Sequence, residues 1–288
     1  MGAVVFAVLG FGACSSVMLV VNKLSVHVFP APICILFLQC ASTALSVQGA
    51  GWLGLIDVDA LELEKARCFF LVAVSSLLLL FTNIKTLQYC NVETFIVFRC
   101  STGLVMGVAE WVFLGGELPS RRSVGAIAMM CAGAVSYALT DSAFVLRGYT
   151  WAGAWYVCFI VNQLYVKHVV DNTAVKSNWG RVMYTNLLSA LLLVAIAPLA
   201  EAQTVTGLIV AGVGVRSQLI LLLSCAVGTA ISYFAFLCRS LVSATSFGII
   251  GDVCKCAPQS GTSMNTALQA HFPTSQCLLN VHPACAGL

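Results

Sequence analysis

The chain has 288 residues, of which 60% are hydrophobic and only 9% charged, against about 45–50% and about 25% for an ordinary soluble domain. Its formal net charge is +3 and no block of like charges occurs, so nothing points to a nucleic-acid partner. Repeated apolar runs of about 20 residues, the length a helix needs to cross a bilayer, mark an all-α polytopic membrane protein whose first partner is the lipid itself.

Taken in chain order, apolar runs bounded by charges and turn formers predict spans at 3–22, 31–51, 67–84, 93–114, 123–140, 149–167, 181–200 and 217–238, with a ninth beginning near 243. The first run lacks a basic leader and is followed by more spans, so it reads as a first helix rather than a cleaved signal. No Arg/Ser-rich transit segment precedes it, which argues against a plastid or mitochondrial address. Segment 204–216 is apolar but short and Gly-rich, and is expected to stand apart as a lumenal or re-entrant piece. With the N-terminus in the cytosol, the loops divide eight basic residues to four in favour of the cytosolic side, which supports that orientation. Small residues such as Gly103, Gly107, Gly125, Gly133 and Ser136 suit close helix approach in lipid, and a homodimer is left open. From Cys256 onward the chain turns polar and Pro/Ser/Thr-rich. The ninth helix is expected to stop after about 13–15 residues, short of the length that spans. The expected organisation is a transporter-like bundle over 1–255, with halves at about 1–140 and 148–255, then a tail over 256–288 without regular structure.

Fourteen cysteines lie mostly within or beside apolar runs, where cysteine acts as a small hydrophobe. Cys254, Cys256, His271, Cys277, His282 and Cys285 match no standard zinc spacing. No metal, cofactor or catalytic residue is expected. Asp141 and Asp252 lack the spacing of an intramembrane protease pair, so the chain is not read as an enzyme.

Polar groups inside membrane-grade sequence are costly and are functional candidates by default. Arg99 carries a planar five-donor fork suited to phosphate oxygens; snorkelling to a headgroup is its plainer role. Glu110 lies eleven residues later, about 16 Å along a helix, and is expected to close a cytosolic gate or meet a loop cation. Tyr184, Thr185 and Asn186 follow one another early in the seventh span. An asparagine amide offers both donor and acceptor, the pattern that reads a nucleobase edge, although interhelical packing also uses Asn. Gly251 and Lys255 sit on the ninth span, where a lysine can meet a diphosphate or the membrane interface. Asn22 and Lys23 end the first span, in faint register with Asn162 and Lys167 on the sixth.

Several stretches then resemble one family. SSVMLVVNK (15–23), FPAPICILFLQ (29–39), LQYCNVETFIVFR (87–99), EWVFLGGEL (110–118) and YALTDSAFVLRGYTWA (137–152) are similar to nucleotide-sugar transporters of the drug/metabolite transporter superfamily, nearest to the GDP-mannose transporters. Met183-Tyr184-Thr185-Asn186 occupies that family's nucleotide motif Phe-Tyr-Asn-Asn. Gly251-Asp252-Val253-Cys254-Lys255 occupies its sugar-side motif Gly-Ala-Leu-Asn-Lys, keeping only the ends. The resemblance implies ten helices in an inverted repeat, a Golgi membrane, and exchange of a GDP-sugar, GDP-mannose favoured, for GMP. Substrate contacts would then come from Asn22, Arg99, Tyr184, Thr185, Asn186, Gly251 and Lys255. A UDP-sugar or sugar-phosphate exchanger of the same superfamily, and a truncated membrane protein that does not transport, remain as alternatives.

Overall fold

In a computed structural model, residues 2–59, 61–89, 92–115, 146–175, 177–211 and 214–251 are described, with 124–125, 128–129, 132–133 and 136 between them. Among the described residues there are seven long helices: α1 (Gly2–Val28), α2 (Pro32–Trp52), α3 (Leu63–Tyr89), α4 (Val92–Leu114), α5 (Leu146–Asn172), α6 (Asn178–Ala211) and α7 (Val215–Leu241). A further helical stretch covers 244–251. Among the described residues there is no strand. Among the described residues, five segments are long and apolar enough to cross a membrane: Gly2–Val28, Pro32–Trp52, Leu63–Asn83, Asn178–Ala197 and Val215–Leu241. The predicted span at 123–140 lies mostly outside the described residues, as do Lys255 and the tail. Its described positions are helical.

One expectation is corrected. Residues 204–211 do not form a separate piece but continue α6, which runs for 34 residues, about 51 Å at 1.5 Å per residue. Where water is scarce, a helix satisfies its own backbone groups, and one internal Gly207 costs only about 1 kcal/mol relative to alanine. The helix therefore persists at least to Ala211.

Helix ends follow local chemistry. Pro32 opens α2, where its missing N–H is not needed. Gly54 closes it at φ +69, with Gly54 N–H donating to Gly51 O at 3.1 Å and Leu55 N–H to Ala50 O at 3.0 Å. That paired pattern needs a left-handed residue, and glycine adopts it without Cβ strain.

The chain divides into two compact units. Unit one holds 2–73 and 173–238, so it contains α1, α2, the start of α3, α6 and nearly all of α7. Here α2 lies along α6, and Phe69, Val72, Val47, Val182, Met183 and Tyr184 are fully buried. The Phe69 and Tyr184 rings stack at 5.4 Å, and Trp179 stacks on Tyr233 at 4.2 Å. Unit two holds 74–172 and 239–251. Its core joins Met106 of α4, Trp155 and Phe159 of α5, and Ala244.

Among the described glycines, Gly10 rather than Gly103 marks a close helix approach. A Cβ on Gly103 would meet Ile249 at an ordinary 3.8 Å, whereas one on Gly10 would fall inside the Phe234 ring. Gly10→Val is expected to destabilise the protein by about 1–3 kcal/mol through overpacking. Thermal unfolding in detergent checks this; an unchanged midpoint would mean Phe234 simply swings aside.

Candidate functional site

Within each unit, taken by itself, carboxylates placed on helix N-termini tie one element to another. The first N–H groups of a helix have no partner within it, and a nearby negative charge also interacts favourably with the helix dipole. At α2, Pro32 has no N–H, and Ile35 N–H donates to Ala31 O at 3.0 Å. The remaining two donors, Ile33 and Cys34, both reach the Glu201 carboxylate of α6 at 2.9 Å. At the start of α6, Ser177 Oγ accepts from Trp179 N–H at 3.0 Å, and Asp59 Oδ2 accepts from Ser177 N–H at 3.2 Å. Asp59 approaches because residue 180 is glycine; a Cβ there would lie 2.5 Å from Asp59 Oδ2. Thus α2 receives an acid from α6, and α6 receives one from the loop that leaves α2.

Unit two uses the same chemistry. Glu110 of α4 accepts from Ala244 N–H at 2.8 Å, Thr245 N–H at 3.0 Å and the Thr245 hydroxyl at 2.5 Å. Glu110, expected to close a cytosolic gate or to meet a loop cation, meets a helix N-terminus. Its carboxylate caps the 244–251 helix, because two unsatisfied backbone donors there attract an acid as a cation would. Close by, Arg239 Nη2 donates to Gln163 Oε1 at 2.6 Å and its guanidinium lies 4.3 Å from the Phe247 ring centre. Lys167 Nζ donates to Arg239 O at 2.9 Å and pairs with Asp171 at 3.1 Å. Asn162 Nδ2 donates to the hydroxyls of Ser75 and Ser76, both at 3.0 Å.

The sequence-predicted residues separate as follows. Unit one contains Asn22, Tyr184, Thr185 and Asn186; unit two contains Arg99 and Gly251. Lys255 lies outside the described residues, and so does the side chain of Lys23. Tyr184 is completely buried. Its hydroxyl accepts from Glu62 N–H at 2.8 Å, so with Phe69 it fastens the start of α3 to α6. Asn186 is buried, and its Nδ2 donates to Val182 O at 2.9 Å. The Thr185 hydroxyl is buried and has no hydrogen-bond partner among the described residues. Arg99 is half-buried on α4, its carbonyl accepting from the Thr102 hydroxyl at 2.8 Å. Gly251 is half-buried at the end of the 244–251 helix.

Asn22 belongs to a network that sequence reading found only in part. Gln39 Nε2 donates to Asn22 Oδ1 at 2.9 Å and to Ser224 Oγ at 2.5 Å, and the Thr43 and Thr229 hydroxyls meet at 2.9 Å. These contacts join α1, α2 and α7. Gln39 and Ser224 are fully or almost fully buried, and Gly228 leaves room for the Gln39 stem. A glutamine inside an apolar run is the signal that marks the network, but its partners lie 17 and 185 residues away. No local pattern names them.

No family model matches the chain. It is 38% identical over 258 residues to GDP-fucose transporter 1 of Arabidopsis thaliana, a match covering 86% of this chain and 74% of that protein. It is 33% identical over 250 residues to GDP-mannose transporter GONST3 of the same plant, covering 85% and 67%. A GDP-mannose transporter 2 of the yeast Vanderwaltozyma polyspora is 24% identical over 265 residues, covering 85% and 79%.

Proposed function

The chain belongs to the nucleotide-sugar transporters, and from that premise we propose that it exchanges a GDP-sugar for GMP by alternating access. The observation that carries this reading is the 38% identity over 258 residues to a protein named as a GDP-fucose transporter. The resemblance to GDP-mannose transporters keeps GDP-mannose beside GDP-fucose as the cargo, with a Golgi membrane and a cytosolic N-terminus as the setting.

The Asn186 amide is the proposed reader of the base edge, because it can both donate and accept. Thr185 stands beside it with a buried hydroxyl that has no partner among the described residues. Such a group costs about 1–3 kcal/mol, a cost that a polar atom of the cargo would relieve. Tyr184 supports this wall from behind, since its ring and hydroxyl are already occupied by Phe69 and Glu62. Arg99 attracts the phosphates by charge, Asn22 lines the path through α1, and Gly251 with Lys255 receives the pyrophosphate and sugar. The two halves of the inverted repeat rock around that site.

Uptake of labelled GDP-fucose, GDP-mannose and UDP-galactose into proteoliposomes preloaded with GMP or UMP tests the proposal. Saturable uptake of a GDP-sugar that requires internal GMP is expected; uptake that requires UMP, or none at all, would overturn it. Thr185→Val separates the hydroxyl's role from its cost. Removing an unsatisfied group should raise the melting temperature of the empty protein, while KM for the GDP-sugar rises about tenfold for one lost hydrogen bond. An unchanged KM would take Thr185 out of the site.

A further inference from the structure

We propose that Glu110 is a positioning residue for the cargo: it fixes the start of the 244–251 helix and thereby the placement of Gly251, the sugar-phosphate end of the site. This rests on the GDP-sugar reading above. Every early N–H of that helix is satisfied. Ala244 and Thr245 donate to Glu110, Ser246 N–H to Ser243 Oγ at 3.1 Å, and Phe247 N–H to Ser243 O at 2.9 Å. Ser243 is the helix's own cap, so it travels with the helix. Glu110 comes from α4, 134 residues earlier, and is the acidic cap that sets where the helix begins in unit two.

The lever is short and stiff. Gly251 lies seven residues beyond Ala244, about 10 Å along a helix, so a tilt of about 10° at the start moves Gly251 by about 2 Å. A displacement of about 1 Å at a positioned group can cost up to about a hundredfold. Two other contacts hold the same segment: Ala244 packs on Met106, Trp155 and Phe159, and Phe247 lies under the Arg239 guanidinium. Apolar packing and a cation over a ring tolerate sliding. Two charge-assisted hydrogen bonds to consecutive N–H groups define position and direction together.

The test is Glu110→Gln in proteoliposomes, with wild type alongside. An amide presents one acceptor and one donor, so it cannot take both N–H groups. GMP lacks the transferred hexose and the second phosphate, so a displaced Gly251 should affect the GDP-sugar alone. KM for the GDP-sugar is expected to rise about tenfold, while inhibition by external GMP changes by less than about threefold. An equal loss for both ligands, or no change in either, overturns the proposal. Thr245→Val removes only the hydroxyl contact; it should move the same ratio by a smaller factor and serves if Glu110→Gln fails to fold. Hydrogen exchange on the purified protein reads the anchor apart from transport. Faster exchange confined to 244–251 in Glu110→Gln is expected, and unchanged exchange there overturns the anchor even if transport falls. Absence of GDP-sugar uptake by wild type would instead overturn the function proposed above.

Discussion

Replacing Glu201 with alanine is expected to lower the stability of the purified protein by about 2–4 kcal/mol, through two backbone N–H groups left without acceptors and a helix dipole left without its anion. Both Glu201 oxygens are used, at 2.9 Å each, on the two N–H groups of the first turn of α2 that have no acceptor within the helix. Water cannot substitute freely where the surroundings are apolar, so the cost is not refunded by solvation. Glu201→Gln should recover about half, because its carbonyl oxygen still accepts one N–H while its amide opposes the other. Thermal unfolding and protease resistance in detergent report the order wild type, Gln, Ala. A melting midpoint for Ala equal to that of wild type would mean that the α2 N-terminus finds another acceptor.

Asn186→Ala should cut GDP-sugar uptake about a hundredfold, the loss of two hydrogen bonds at about 1–1.5 kcal/mol each, while the fold survives. Among the described residues its amide donates to Val182 O, a helical carbonyl four residues back on the same element. Losing that contact should cost under about 1 kcal/mol. Transport and melting temperature are to be measured on the same preparation. Full uptake with an unchanged midpoint would remove Asn186 from the site; loss of both together would make it a packing residue of α6.

Much of the helical plan was legible because apolar length is a local property. The runs at 31–51 and 217–238 became α2 and α7 within a few residues. Segment 204–211 was misplaced because glycine content was weighed as a break, whereas a helix in apolar surroundings continues until something satisfies its backbone better. The side chains that matter were visible as polar letters in apolar text, among them Asn22, Glu110, Tyr184 and Asn186. Their partners were not. Glu110 was expected to close a cytosolic gate or meet a loop cation, and only the packing of α4 against residues 244 and 245 reveals that it meets a helix terminus. Tyr184 was expected to face a ligand, but the spatial neighbours Glu62 and Phe69, over 100 residues earlier in sequence, hold both its hydroxyl and its ring.

The tie between Glu201 and the first turn of α2 has a consequence for biosynthesis. The two ends are 168 residues apart, so at about 5–20 residues per second the ribosome needs roughly 8–34 s to deliver the acid after residue 33 has emerged. During that interval α2 waits with two bare donors while α3, α4 and α5 are made. The nascent chain must therefore be sheltered laterally until α6 arrives, and a pause or a premature stop anywhere before residue 201 strands α2 with its amino end unfinished.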